Sequence, residues 1–164
     1  MVPTQKRRMK NIDPSQSIPL LAPSARIAII VSRFNLDITS RLLEGALTRL
    51  QELSTPEKSV TWVPGAIEIP LIAQHLAQTT QYDAIVTLGA VIRGETTHYD
   101  YVCQQVSTGC QKVALENHLP VIFGILTTEN MAQALERTGG KQGHVGRSAI
   151  DTAFHMVHLL RTLK

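Results

Sequence analysis

Four short apolar runs, each leading into a segment of helical periodicity, constrain this chain more than any other feature. RIAIIV (26–31), SVTWV (59–63), AIVTLGAV (84–91) and VIFGIL (121–126) have strand length, and RIAIIV is apolar almost throughout, as expected of a strand covered on both faces. After the first run, Asp37 to Leu53 sets Ile38, Leu42, Leu43, Ala46, Leu50 and Leu53 at helical spacing, with Asp37 as N-cap or in the first turn. A second helix is expected from Ala66 to Ala77, with Pro70 early enough that its missing donor costs little. Others are expected from Thr97 to Glu116, from Asn130 to Arg137, and from the Gly-rich loop GGKQGHVG (139–146) to about Leu163. Strands that alternate with helices in this way form a parallel sheet covered by helices on both faces.

The first 25 residues do not share this pattern. Pro3, Pro14, Pro19 and Pro23 interrupt any helix, so residues 1–25 read as an extended arm and 26–164 as the domain. Lys6, Arg7, Arg8 and Lys10 lie in that arm; they account for the net charge of +3 and leave twelve basic against thirteen acidic side chains in residues 11–164. A nearly neutral domain has no overall field to hold nucleic acid, and seven aromatic residues are too few for a base-stacking platform. No apolar run reaches the length of a membrane span, and polar Asn11, Asp13, Ser15 and Gln16 stand where a signal peptide needs its apolar stretch. These readings exclude nucleic-acid and membrane partners and make the cytoplasm the expected location. Cys103 and Cys110 fall on one expected helix about two turns apart, roughly 10 Å, too far for a disulfide. His75, His118, His155 and His158 have no ligand company at metal spacing, so no metal is expected. Dinucleotide, P-loop and hydrolase signatures are missing as well.

Ligands of open parallel sheets lie at the carboxyl ends of the strands, which here means SRFN (32–35), PGAIE (64–68), IRGETTH (92–98) and TTEN (127–130). The third turn is the richest. Gly94 permits close backbone approach, Thr96 and Thr97 offer hydroxyls and open amides at a helix start, and His98 can exchange protons near neutral pH. Such a turn suits a phosphate or carboxylate, although Thr97 as a cap and His98 as a surface residue would explain the same letters. Phe34 follows a strand directly, where a ring either stacks on a ligand or packs on the next helix. Glu68 complements a helix N-terminus or binds a ligand hydroxyl. By composition Phe123 belongs to the core, and Arg137 is favourable at a helix end without any ligand.

Taken in order, SRFN (32–35), WVPGAIEIP (62–70), LGAVIRGETTHYDYV (88–102) and PVIFGILTTEN (120–130) resemble the 6,7-dimethyl-8-ribityllumazine synthase family over about Arg26 to Leu163. The resemblance implies a flavodoxin-like three-layer αβα sandwich around a four-stranded parallel sheet. It implies a transferase of riboflavin biosynthesis that works without metal or organic cofactor. Its substrates are 5-amino-6-(D-ribitylamino)uracil and 3,4-dihydroxy-2-butanone 4-phosphate. Carried over by motif, Phe34 stacks on the pyrimidine, Ala66, Ile67 and Glu68 hold the ribityl chain, and Ala90, Val91 and Ile92 meet the pyrimidine edge through backbone. Glu95 and Thr96 lie at the phosphate pocket, His98 transfers protons, Phe123 closes the pyrimidine site from a neighbouring subunit, and Arg137 pairs with the phosphate.

Three positions depart from the family pattern. Val145 stands where a lysine is usual and Ser148 where an acid is usual, leaving Lys141, His144 and Arg147 as candidates to replace the missing cation. Ile67 is aliphatic where the family is often aromatic. The resemblance further implies a homopentamer, with GGKQGH (139–144) matching in part the loop of members that build a sixty-subunit icosahedral shell, and riboflavin synthase as a partner. Two alternatives stay open on sequence: a weakly active lumazine-binding or shell protein, and a riboflavin synthase of the archaeal type.

Overall fold

The computed structural model describes residues 24–55 and 58–163, so the expected arm, apart from Ser24 and Ala25, lies outside the described residues together with its basic cluster. The four apolar runs are the strands β1 (Ile27–Ser32), β2 (Lys58–Val63), β3 (Ala84–Ile92) and β4 (Val121–Thr128). They pair in parallel in the order β2-β1-β3-β4. Position in the sheet explains their composition. Central strands have both faces and both edges covered: every residue of β1 is buried, and every residue of β3 but Ile92. The outer strands β2 and β4 mix buried and accessible positions.

Side chains of β1 alternate between two cores because successive strand residues point to opposite faces. Ile27, Ile29 and Val31 pack with Ile38, Leu42 and Leu50 of α1 (Leu36–Glu52) and with Ile150, Ala153 and Phe154 of α5 (Val145–Thr162). Ala28 and Ile30 pack on the other side with Ile69 and Ala73 of α2 (Ile69–Gln78) and with Val106, Cys110 and Val113 of α3 (His98–Asn117). The result is the expected flavodoxin-like sandwich of three layers. Leu42 and Leu50 are fully buried, and truncating such a side chain to alanine costs about 2–5 kcal/mol.

Three local expectations are corrected. The segment from Ala66 opens as a 3-10 turn (Ala66–Glu68), and α2 starts only at Ile69, with Pro70 at its second position where no donor is needed. The short helix α4 (Met131–Leu135) ends before Arg137. The Gly-rich segment is a small antiparallel hairpin, β5 (Thr138–Gly140) with β6 (Gly143–His144), and not a plain loop. Gly139 (φ 112°) and Gly143 (φ 78°) supply the backbone angles that let it close. Val145 and Ser148 consequently sit in the first turn of α5.

Candidate active site

All four strands run the same way, so the four turns singled out by sequence emerge at one end of the sheet. The chain leaves β1 toward β2 on one side and returns to β3 on the other, which opens a crevice beyond β1 and β3. Backbone bonds strap the turns together there. Pairing of β1 with β2 continues past the strands: the Arg33 N–H donates to the Val63 carbonyl at 2.8 Å and the Phe34 N–H to the Pro64 carbonyl at 3.0 Å. Asn35, left-handed at φ 58°, opens α1, and its side-chain amide donates to the Ala90 carbonyl at 2.8 Å. Phe34 is thereby fixed in backbone while its ring stays 69% exposed. It is not buried as a core residue would be.

The crevice is a cavity of about 340 Å3 lined by Phe34, the Gly65–Glu68 turn, Ala90, Val91, Ile92, Gly94, Thr96, His98, Tyr99 and Val102. Its mostly apolar wall with a few polar groups is the usual make-up of a small-molecule site. Glu68 accepts the Gly65 N–H at 2.8 Å, as expected of an acid at this helix start, and it is one of the residues lining the cavity. Nine of the twelve residues singled out by sequence are gathered in this wall.

Arg93 holds the third turn in place. Its guanidinium donates to Glu129 at 2.8 Å and to Asp100 at 3.0 and 3.3 Å, and it stacks on the Tyr99 ring at 4.1 Å. The two carboxylates, Asp100 first, raise its pKa above the ordinary value, so the clamp stays charged. Burial pushes the Tyr99 hydroxyl up and keeps it neutral at the cavity wall. The helix start differs from expectation in one detail: Thr97 occupies the cap position without a capping bond, and Thr96 Oγ1 accepts the His98 N–H at 3.4 Å. Tyr99 and Val102 were not foreseen as wall residues. Val102 lies one turn after His98, a spacing that puts them on one helix face, but nothing in the sequence says that this face meets the cavity.

Glu95, Phe123 and Arg137 do not line the cavity. The core placement expected for Phe123 is wrong: the ring is 40% exposed, because β4 is an outer strand. Phe123 pairs with Thr87, five rungs before the Ile92–Thr128 pair, roughly 16 Å down the strand at the usual rise. It lines a separate shallow groove with Val145 and Ser148. Arg137, just beyond α4, donates to the Gln133 carbonyl at 2.9 Å, an orphan acceptor of the helix end. Its own carbonyl accepts the Val145 N–H at 2.9 Å, which brings Arg137 to the same side of the molecule as the Phe123 groove.

The candidates for a replacement cation separate clearly. Arg147 is committed to Glu52 through two bonds of 3.0 and 2.8 Å. The His144 ring faces α1, and burial followed by the nearby Arg147 charge holds it below the ordinary imidazole value. Lys141 is exposed on the hairpin, and no carboxylate among the described residues pairs with its ammonium. Both cysteines are free thiols, and burial pushes Cys110 up to about 11. Among the described residues no three His, Cys, Asp or Glu side chains group as metal ligands, and no helix is long and apolar enough to cross a membrane.

Three of the four motif turns thus meet in one cavity, with the His98 imidazole in its wall. A model of the 6,7-dimethyl-8-ribityllumazine synthase family matches residues 24–161 of this chain. The chain belongs to that family. Relatives named 6,7-dimethyl-8-ribityllumazine synthase from three strains of Coxiella burnetii (Dugway 5J108-111, CbuG_Q212 and RSA 493 / Nine Mile phase I) are each 52% identical over 143 residues, spanning 86% of this chain and 95% of theirs. Its reaction is the family's transferase step in riboflavin biosynthesis, condensation of 5-amino-6-(D-ribitylamino)uracil with 3,4-dihydroxy-2-butanone 4-phosphate to 6,7-dimethyl-8-ribityllumazine, phosphate and water. Membership favours this over the binding-protein and riboflavin synthase readings.

Proposed function

We propose that the condensation takes place in a site shared by two copies of the chain, the cavity of one faced by the Phe123–Arg137 surface of its neighbour. The observation that carries this is the split itself. The wall from Phe34 to His98 and the surface of Phe123, Arg137 and Val145 lie on different parts of one subunit. Within the shared site the pyrimidine stacks on Phe34, with its edge on the Ala90–Ile92 backbone and the neighbour's Phe123 closing over it. The ribityl chain runs along Ala66, Ile67 and Glu68. Glu95 and Thr96 border the phosphate, whose charge is met by Arg137; a guanidinium fork suits phosphate oxygens better than an ammonium.

The chemistry asks for orientation and proton transfer. The 5-amino group adds to the ketone, and water leaves as the imine forms. Phosphate departs, and the ring closes with loss of a second water. Holding the amine and ketone in contact removes the entropic cost of the encounter, and His98 gives and takes the protons on nitrogen and oxygen. No step needs a metal or organic cofactor.

A ring of copies joined head to tail supplies every cavity with a neighbour's edge. Five copies is our reading, acting in the cytoplasm, with riboflavin synthase as the partner that consumes the product. Light scattering gives about 90 kDa for five subunits of 18.0 kDa and about 1.1 MDa for a sixty-subunit shell.

Complementation tests the shared site. Co-expressed His98→Ala and Arg137→Ala chains, each defective alone, regain activity in mixed assemblies, because about a quarter of randomly mixed interfaces pair an intact cavity with an intact edge. Mixed assemblies no more active than the two variants alone would place both residues in one subunit's site.

A further inference from the structure

We propose that His144 is a positioning residue for the butanone phosphate, acting by locking the β5–β6 hairpin onto α1 at Gly45 and so fixing Arg137. This rests on the reading of Arg137 as the phosphate residue. The geometry is specific. The His144 ring occupies the space that a side chain at position 45 would need: a Cβ there would overlap its Cε1 and Nε2 and stand 2.6 Å from Nδ1. On the other side of the ring a Cβ on Gly139 would stand 3.6 Å from Cδ2, so the imidazole lies between α1 and its own hairpin. Gly146 approaches α1 as closely, since a Cβ there would overlap the Leu42 carbonyl oxygen. Gly45 on α1 and Gly146 in the first turn of α5, just after the hairpin, let the two backbones approach around this ring.

From the ring the constraint reaches Arg137 in short steps. His144 pairs with Thr138, the residue after Arg137, across the hairpin. The next amide along, Val145 N–H, donates to the Arg137 carbonyl at 2.9 Å. Glu136 closes the same hairpin, its carbonyl accepting from Gln142 at 3.1 Å and its carboxylate from Lys141 N–H at 2.8 Å. Apart from these backbone bonds, α4 has only five residues and little core of its own, with Ala134 its one buried side chain. The Nδ1 of His144 is buried without a hydrogen-bond partner, while the imidazole also meets the backbone of Arg41 on α1, so packing and a polar contact both tie the ring to that helix.

Steady-state kinetics on full-length His144→Ala, Gly45→Ala, the double variant and Arg137→Ala, with melting temperatures, test this. His144→Ala should raise the butanone phosphate KM roughly tenfold, as expected when a binding group shifts by a fraction of an ångström, while kcat and the pyrimidine KM change less than about twofold. Gly45→Ala should do the same by displacing the ring. In the double variant the clash is gone, so the Gly45 change should add nothing to the effect of His144→Ala. A merely structural role would lower the melting temperature and move both KM values together. An unchanged butanone phosphate KM in His144→Ala, or effects that simply add in the double variant, overturns the inference while Arg137→Ala still raises that KM. If Arg137→Ala leaves it unchanged, the reading of Arg137 fails and the inference with it. Should Gly45→Ala fail to assemble, His144→Ala decides alone.

Discussion

The cavity wall and the outer surface are held by different means. Phe34, Ala90, Val91 and Ile92 belong to or directly follow β1 and β3, whose side chains are almost all buried, and the turns beyond them are cross-strapped by backbone bonds. Phe123, Arg137 and Val145 sit on an outer strand, after a five-residue helix and at the end of a small hairpin. Proton transfer and ring closure need reactants fixed within a fraction of an ångström, which a deeply packed scaffold provides. On the shared-site proposal, the deeply packed wall belongs to one subunit and the closing contacts to a surface that a second copy brings.

The largest expected effect is on the rigid side. His98→Ala removes the imidazole at the cavity rim without touching the core, so the protein should fold, assemble and bind the pyrimidine. Its kcat should fall roughly ten- to a hundredfold, the low end for general acid–base help because amine and ketone are reactive by themselves. An unchanged kcat in an intact assembly would take His98 out of the mechanism and leave the cavity as a binding site only.

Phe34→Ala comes next. The ring is exposed and its backbone is fixed by the Pro64 carbonyl, so its loss removes a stacking surface and little packing. Stacking of this kind is worth about 1–3 kcal/mol, and the loss should appear in the pyrimidine KM and not in that of the butanone phosphate. Equal losses for both substrates would show that the first turn, like the outer surface, depends on mutual support.

The same contrast decides what was legible in the sequence. β1 and β3 announce themselves because a strand covered on all sides has no solvent-facing residue to break its apolar run. From them, the site at the strand ends follows by topology, as do Phe34 and the turn carrying His98. The outer side was harder to read. Phe123 sits in an apolar run, VIFGIL, that looks like core until the sheet order puts β4 at the edge. The β5–β6 hairpin hides in a Gly-rich segment because glycine permits many conformations, and only tertiary contact with α1 selects one. Roles for Phe123 and Arg137 came from motif resemblance alone.

A smaller effect is expected from restoring the family residue at the outer surface. Val145 begins α5 beside the Arg137 carbonyl, and of the alternative cations Arg147 is held by Glu52 and His144 faces inward. Val145→Lys should lower the butanone phosphate KM a few-fold, less than the ~1.5–3 kcal/mol of a sheltered charged contact because this surface is partly wet. The pyrimidine KM should stay where it is. If Lys141 already fills the role, Val145→Lys changes neither constant and Lys141→Ala raises the butanone phosphate KM instead.

The smallest expected effect concerns how the outer surface is tied down. Between Val145 and Ser148, Arg147 reaches across to Glu52 at the end of α1, and Glu52 also meets Arg49 at 2.9 Å. These bonds, Arg147 first, lower the Glu52 carboxyl from the usual 4.5 to about 2. A depressed carboxyl contributes stability that is present above its unfolded pKa and lost as pH falls through the folded one, so the window runs from about 4.5 down to about 2. The group lies in solvent, and salt screens the contribution. At neutral pH and low salt, Glu52→Gln should melt slightly below the unmodified protein, and the gap should close as pH falls across that window. Leu42→Ala, which opens the core beneath the same helix, should keep its full deficit at every pH. A Glu52→Gln gap that does not change with pH would mean that the start of α5 is held by packing, as the cavity wall is, and would erase this part of the contrast.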